Sequence, residues 1–244
     1  MREAPARENA TAGPVGPWSA ARVLVVLGAY GSGKSEVAVN LALLLRRTRD
    51  DVTLVDLDTI NPYFRSNDAR AALEAAGVRV VAPSTAGTNA DVPAVPGEVH
   101  GAFDAAGTFV FDIGGEDMGA RVVSSLRDGF ARCGAFVLMV VNRSRPFTAD
   151  AGRIADMADE LAAASGLPVD ALVDNTNLLG ESDGRLLLDS VGEVRTAGAR
   201  RGIPLAFASG VDALLPPEWR DALPDGTPLL RMRRHLTYPY ENGA

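Results

Sequence analysis

Eight residues, Gly28-Ala29-Tyr30-Gly31-Ser32-Gly33-Lys34-Ser35, have the types and spacing of a phosphate cradle. In the pattern G-x-x-x-x-G-K-[ST] the glycines let the backbone curl until its amides face phosphate oxygens. The lysine then reaches the β- and γ-phosphates, and the final hydroxyl, here that of Ser35, holds Mg²⁺. A helix-compatible stretch from Glu36 to Leu45 follows, so the positive end of a new helix joins the same anion site. Composition sharpens the reading: the chain carries 24 Lys+Arg, and the single lysine among them is Lys34. A compact ammonium suits a phosphate cradle where a planar guanidinium fits less well. The alternative, a glycine-rich turn that binds nothing, leaves the register of strand, turn, Lys-Ser and helix unexplained.

A second group of residues could serve the same chemistry. Thr108-Phe109-Val110-Phe111-Asp112 is an apolar run ending in a carboxylate, followed by Ile113-Gly114-Gly115. Asp112 placed there can hold the Mg²⁺ water shell, and the Gly115 amide can approach a γ-phosphate. The alternative is a strand-ending aspartate that only caps the next helix. Asp56-Leu57-Asp58 likewise closes the apolar run Val52 to Val55 and is followed by the breaker Asn61-Pro62. The nucleotide is thus expected among Gly28, Tyr30, Gly31, Ser32, Gly33, Lys34, Ser35, Glu36 and Gly115.

Positioning these groups requires strands whose C-terminal ends share one edge. Val23 to Leu27 is the strand before the cradle; Val78 to Val81, Phe136 to Val141, Asp170 to Asn175 and Pro204 to Ala208 are further apolar runs. Helical patterns lie between them, at residues 67–76, around Ile154, Met157, Ala158 and Leu161, and from Leu186 to Ala199. Such alternation predicts an α/β fold in three layers, a doubly wound, mostly parallel sheet with helices on both faces. Residues 1–20 read as a mobile tail with Trp18 pinning its end, and 21–244 as one nucleotide-binding domain. The Pro/Gly/Ser/Thr/Asn-rich stretch 83–96 reads as a lid or partner surface.

Composition excludes other classes. A net charge of −7 and a pI near 4.9 argue against overall affinity for nucleic acid or anionic membrane. The single cysteine, Cys133, rules out an internal disulfide framework, reads as a buried inert thiol and fits a reducing cytoplasm. Leu229 to Leu236 mixes basic and apolar residues, but Pro228 and Pro239 leave roughly ten residues between them, too few for a membrane-seeking helix.

With these motifs placed, residues 22–210 resemble the deviant-Walker (SIMIBI) branch of P-loop NTPases that includes MinD, ParA, Mrp and the CobQ/CobB-type proteins. The resemblance implies that Asp58, second in the D-x-D, orients the attacking water or binds metal. It also implies that Asn175, in Val173-Asp174-Asn175, hydrogen-bonds adenine as in Mrp-like members. Val140-Val141-Asn142 followed by Asp150-Ala151-Gly152-Arg153-Ile154 matches the MinD-like pattern. Gly28 to Ser35 together with Asn61-Pro62-Tyr63-Phe64-Arg65 also resembles a bacterial group named only as ATP-binding proteins. One departure matters: MinD- and ParA-type loops carry an early lysine that crosses a dimer to the partner's nucleotide, and this chain has Ala29 there, with Tyr30 in place of a glycine. An arginine could substitute, and Arg65, Arg143 and Arg145 follow strand ends at the ligand edge.

Base choice follows from what is missing. The guanine-reading motif N-K-x-D needs a lysine and an aspartate, and neither Asn142-Arg143-Ser144-Arg145 nor Asn175-Thr176-Asn177-Leu178 supplies them. ATP is the expected nucleotide and Mg²⁺ the expected metal, with catalytic roles for Lys34, Asp58 and Asp112 and metal roles for Ser35, Asp58 and Asp112. No His/Cys cluster suits a metal-carrying GTPase. The expected activity is Mg²⁺-dependent ATP hydrolysis driving a switch, in a possible homodimer or on a partner protein. A small-molecule kinase or ligase acting on an acceptor, and a nucleotide-dependent dimerisation module with little turnover, are the alternatives. In the switch reading, Tyr63, Phe64 and Arg65 relay the state of the γ-phosphate; otherwise the two rings close the core beneath the loop.

Overall fold

The computed structural model describes residues 13–57, 66–82, 97–114 and 117–236. A short helix α1 (Pro17–Ala20) leads into β1 (Val23–Gly28), and strands and helices then alternate. They are α2 (Lys34–Arg46), β2 (Val52–Leu57), α3 (Ser66–Ala75), β3 (Arg79–Val81), α4 (Gly97–Asp104), β4 (Thr108–Ile113) and α5 (Asp117–Cys133). The second half adds β5 (Phe136–Val141), α6 (Ala151–Ser165), β6 (Ala171–Asp174), α7 (Gly184–Ala199), β7 (Leu205–Val211) and β8 (Leu229–Met232). The strands form one sheet in the order β3-β2-β4-β1-β5-β6-β7-β8, and every strand pairing is parallel.

The sheet is covered on both faces, which is why its strands read as unbroken apolar runs rather than alternating ones. In β1, Val23, Val25 and Leu27 pack with Val99 and Phe103 of α4 and Val123 and Phe130 of α5. Leu24 and Val26 point the other way, toward Val37 and Leu41 of α2 and Leu73 of α3. The α5 face is locked by Phe111 and Phe130, edge to face with ring centroids 4.9 Å apart. On the α2 face Trp18 is buried against Phe207, centroids 5.2 Å apart, and pins the start of the described chain as its sequence suggested.

Four elements depart from the sequence expectation: α1 lies within the stretch read as a mobile tail, α5 fills residues 117–133, for which no helix was expected, and α4 and β8 are the other two. Helix α4 forms in a stretch whose glycines and flanking prolines gave no helical period. The segment Leu229 to Leu236 is neither helix nor loop alone: Leu229–Met232 is the edge strand β8, pairing in register from Ala208↔Leu229 to Val211↔Met232. Asp58, Asn61 to Arg65, the stretch 83–96 and Gly115 lie outside the described residues.

Candidate functional site

The turn between β1 and α2 sits at the centre of the sheet's C-terminal edge. Gly28 is required by close approach, since a Cβ there would stand 2.6 Å from Ser32 Oγ and 2.7 Å from the Val140 carbonyl. Gly33, the N-cap of α2, has φ +83°, and a Cβ would meet Asn175 Nδ2 at 2.2 Å. Three side chains from the ends of β5 and β6 grip the turn by its carbonyls. Asn175 Nδ2 donates to Ser32 O at 2.8 Å, Asn142 Nδ2 to Gly31 O at 3.4 Å and Arg145 Nε to Gly31 O at 3.2 Å. Holding the carbonyls from outside leaves the first amides of α2, which have no partner within a helix, for an anion.

Lys34, Ser32 and Ser35 are all buried beside this turn. The hydroxyls of Ser32 and Ser35 have no hydrogen-bond partner among the described residues. A buried polar group left so costs about 1–3 kcal/mol, and two of them flanking a buried ammonium suit phosphate oxygens and a metal ion. Ser35 also faces a small cavity of about 20 Å³ that it shares with Asp56 and Asp112. Those two carboxylates stand side by side because β2 and β4 pair with Asp56 opposite Asp112. Among the described residues no group of three or more His, Cys, Asp and Glu could hold a metal. A hydroxyl with one or two carboxylates, completed by phosphate oxygens and water, is instead the hard-oxygen set that suits Mg²⁺. Such an ion would neutralise phosphate charge there. Asp56 was overlooked by the sequence argument, which placed the work of the D-x-D on Asp58; the strand-end register of Asp56 with Asp112 is the missing signal.

From the turn a cavity of about 650 Å³ runs past Asn175 and Thr176 to an apolar wall that includes Leu179, Leu187, Val211 and Leu214. Tyr30 stands exposed at its rim. Asn175 is engaged at both ends, its Oδ1 accepting Ser209 Oγ at 3.1 Å while Nδ2 holds Ser32. Next to it, Asp174 accepts Ser190 Oγ at 2.6 Å and the Thr176 amide at 3.0 Å. Burial pushes the Asp174 carboxyl up to about 6 against those hydrogen bonds. Of the three arginines expected at this edge, Arg145 lies on the turn, Arg143 points its Nε to Ala149 O at 3.3 Å, and Arg65 lies outside the described residues. Asp183, the N-cap of α7, is an acidic residue on the cavity wall and accepts the Leu186 amide at 2.8 Å.

Glu36 lines the cavity, but its carboxylate is directed to the segment that follows β8. It accepts the His235 amide at 2.8 Å, the Leu236 amide at 3.1 Å and Asn40 Nδ2 at 3.2 Å. Burial pushes its carboxyl up to about 7, opposed by those amides and by the Arg234 guanidinium. The side chain of Glu36, expected among the nucleotide contacts, holds the backbone of residues 235–236, while the residue itself lines the cavity. Sequence reasoning had no means to place Asn40, Arg234 or Leu236 at the site, because only the fold brings positions so distant together. Cys133 is half-buried rather than buried; burial raises its thiol, and it lines neither cavity.

A G-x-x-x-x-G-K-S turn between a central strand and the first long helix of a parallel, doubly covered sheet, with a strand-end aspartate on the neighbouring strand, is the architecture of an α/β P-loop fold. Among solved structures the chain is similar to the signal recognition particle 54 kDa protein of Aeropyrum pernix in complex with GDP. That match has 19% identity over 80% of this chain and 42% of that one, with a TM-score of 0.51. FtsY of Elizabethkingia anophelis aligns at 20% identity over 82% of this chain and 61% of that one, TM-score 0.48. FtsY of Thermotoga maritima aligns at 19% over 83% and 65%, TM-score 0.48. The chain spans less than two thirds of the length of each, and at 19% identity the likeness to the Aeropyrum pernix protein is one of fold. No protein-family model matches the chain, and no curated protein is significantly similar to it. Among the described residues no helix is long and apolar enough to cross a membrane.

Proposed function

We propose that the protein binds a Mg²⁺–nucleoside triphosphate in the large cavity, phosphates on the P-loop and base against the apolar wall, and hydrolyses it as a switch acting on a partner protein or a second copy. The observation that carries this reading is the pair of buried, unbonded hydroxyls of Ser32 and Ser35 flanking buried Lys34 at the mouth of a cavity of about 650 Å³. Lys34 neutralises the β- and γ-phosphates, Ser35 and Asp112 hold the metal with Asp56 beside them, and Asp58 orients the attacking water. ATP is the proposed nucleotide, because nothing in Asn175-Thr176-Asn177-Leu178 supplies the carboxylate that pairs with guanine. Asp183 on the cavity wall is the observation that favours guanine instead. Lys34→Ala should abolish hydrolysis and weaken binding of MgATP, and Lys34→Arg should fail nearly as badly, read by phosphate release and titration calorimetry. Wild-type turnover in either variant would remove the assignment. Diphosphate release without any added metabolite supports the switch; release only in the presence of an acceptor supports a transferase.

A further inference from the structure

The chain's second set of unusual contacts lies where it leaves β8. Asn40 acts toward Arg233 as a neighbouring strand would: its Oδ1 accepts the Arg233 amide at 3.0 Å and its Nδ2 donates to the Arg233 carbonyl at 2.9 Å. One turn earlier on the same face of α2, Glu36 accepts the amides of His235 and Leu236. Both side chains are buried, and Asn40 Nδ2 also bonds the Glu36 carbonyl at 2.9 Å, so the two act as one clamp. Leu236 is buried too and lines both the large cavity and the small one that Ser35 shares with Asp112. Between the gripped residues stands Arg234, which lines the large cavity together with Lys34, Ser35 and Glu36. The clamp fixes the backbone on either side of an arginine that lines the same cavity as the glycine-rich turn. In a chain with one lysine, a second permanently charged side chain for the phosphates has to be an arginine.

We infer that residues 233–236 form a strap that presents Arg234, in cis, to the phosphate chain of the nucleotide, with Glu36 and Asn40 as its positioning residues. This rests on the nucleotide reading of the P-loop cavity. A guanidinium forks onto phosphate oxygens with charge-assisted hydrogen bonds, so Arg234→Ala should weaken fluorescent MgADP and MgGDP alike by about 10- to 100-fold. Arg234→Lys should recover part of the loss, and Arg234→Gln, which keeps the side chain's packing, should reproduce it. Asn40→Ala should weaken binding in the wild-type background and add little in the Arg234→Ala background, because the clamp acts through the arginine; a purely structural role for Asn40 would add in full. Wild-type affinity in folded Arg234→Ala and Arg234→Gln, with binding lost in Lys34→Ala, overturns the strap and leaves the nucleotide site standing. Tighter binding in those variants also overturns it, since the strap would then be a barrier. Wild-type binding in Lys34→Ala overturns the nucleotide reading, and the strap with it.

Discussion

Asp174 shows how far single side chains at this edge are set by burial. Wholly enclosed at the end of β6, it is pushed up to about 6 from an ordinary 3.8, even though Ser190 and Thr176 hydrogen-bond to it. Between those two values the folded protein holds a proton that the unfolded chain has released. Stability contributed by this group therefore falls as pH rises from about 3.8 through about 6 and is level above. An isosteric amide can keep both contacts, accepting from Thr176 and donating to the Ser190 hydroxyl. Asp174→Asn should accordingly flatten the wild-type loss of stability across that window, a difference of about 2 kcal/mol between pH 4.5 and pH 7, measured by urea unfolding at those two pH values. An unchanged slope in the variant would place the titration on another group. At the same scale the residues of the glycine-rich turn were the most legible from sequence: Gly28, Gly33, Lys34 and Ser35 are fixed by backbone sterics and local chemistry within eight positions. Asp56 needed the pairing of two strands before its partnership with Asp112 appeared.

At the level of elements, the P-loop is a turn held by its neighbours rather than by itself. The ends of β5 and β6 supply Asn142, Arg145 and Asn175, and the last of these meets the Ser32 carbonyl deep in the fold. Truncating Asn175 leaves that buried carbonyl and the Ser209 hydroxyl without it, at a cost of about 1–3 kcal/mol, and frees the turn to relax from the phosphate-binding shape. Asn175→Ala should lower the melting temperature and weaken MgATP and MgGTP by the same factor, since a prop for the loop acts through the phosphates. A loss confined to MgATP would return Asn175 to reading adenine. The sequence showed the strands at these ends because burial on both faces leaves continuous apolar runs, Phe136 to Val141 being the clearest. It could not show β8, whose four residues follow a proline and precede a basic stretch. Nor could it show the clamp, because Glu36 and Asn40 look like ordinary positions on an amphipathic helix until residues 233–236 are laid across them.

The whole molecule places every one of these groups on a single rim. Parallel pairing throughout sends the C-terminal ends of all strands the same way, so the P-loop after β1, Asp56 and Asp112 at β2 and β4, Asn142 and Asn175 beyond β5 and β6, and the strap beyond β8 converge without any one segment being long. The apolar end of the cavity is built differently, from the loop after β7 and the start of α7. Arg231 knits that loop by bonding the Asp212 carboxylate and the carbonyls of Pro216 and Trp219. That wall is mainly apolar, apart from Asp183, whose carboxylate already caps a helix. A ligand that fills cradle and wall together binds only the folded state and stabilises it by about 2.7 kcal/mol at a hundred times its dissociation constant. For a chain of this size that is roughly 5–10 °C in melting temperature. MgATP should give the larger shift at equal concentration, MgGTP a smaller one, and chelating the metal should diminish both. A MgGTP shift that equals or exceeds that of MgATP would reverse the base assignment. Asp183→Ala would then abolish the GTP advantage, because a carboxylate that pairs with guanine has nothing to offer adenine.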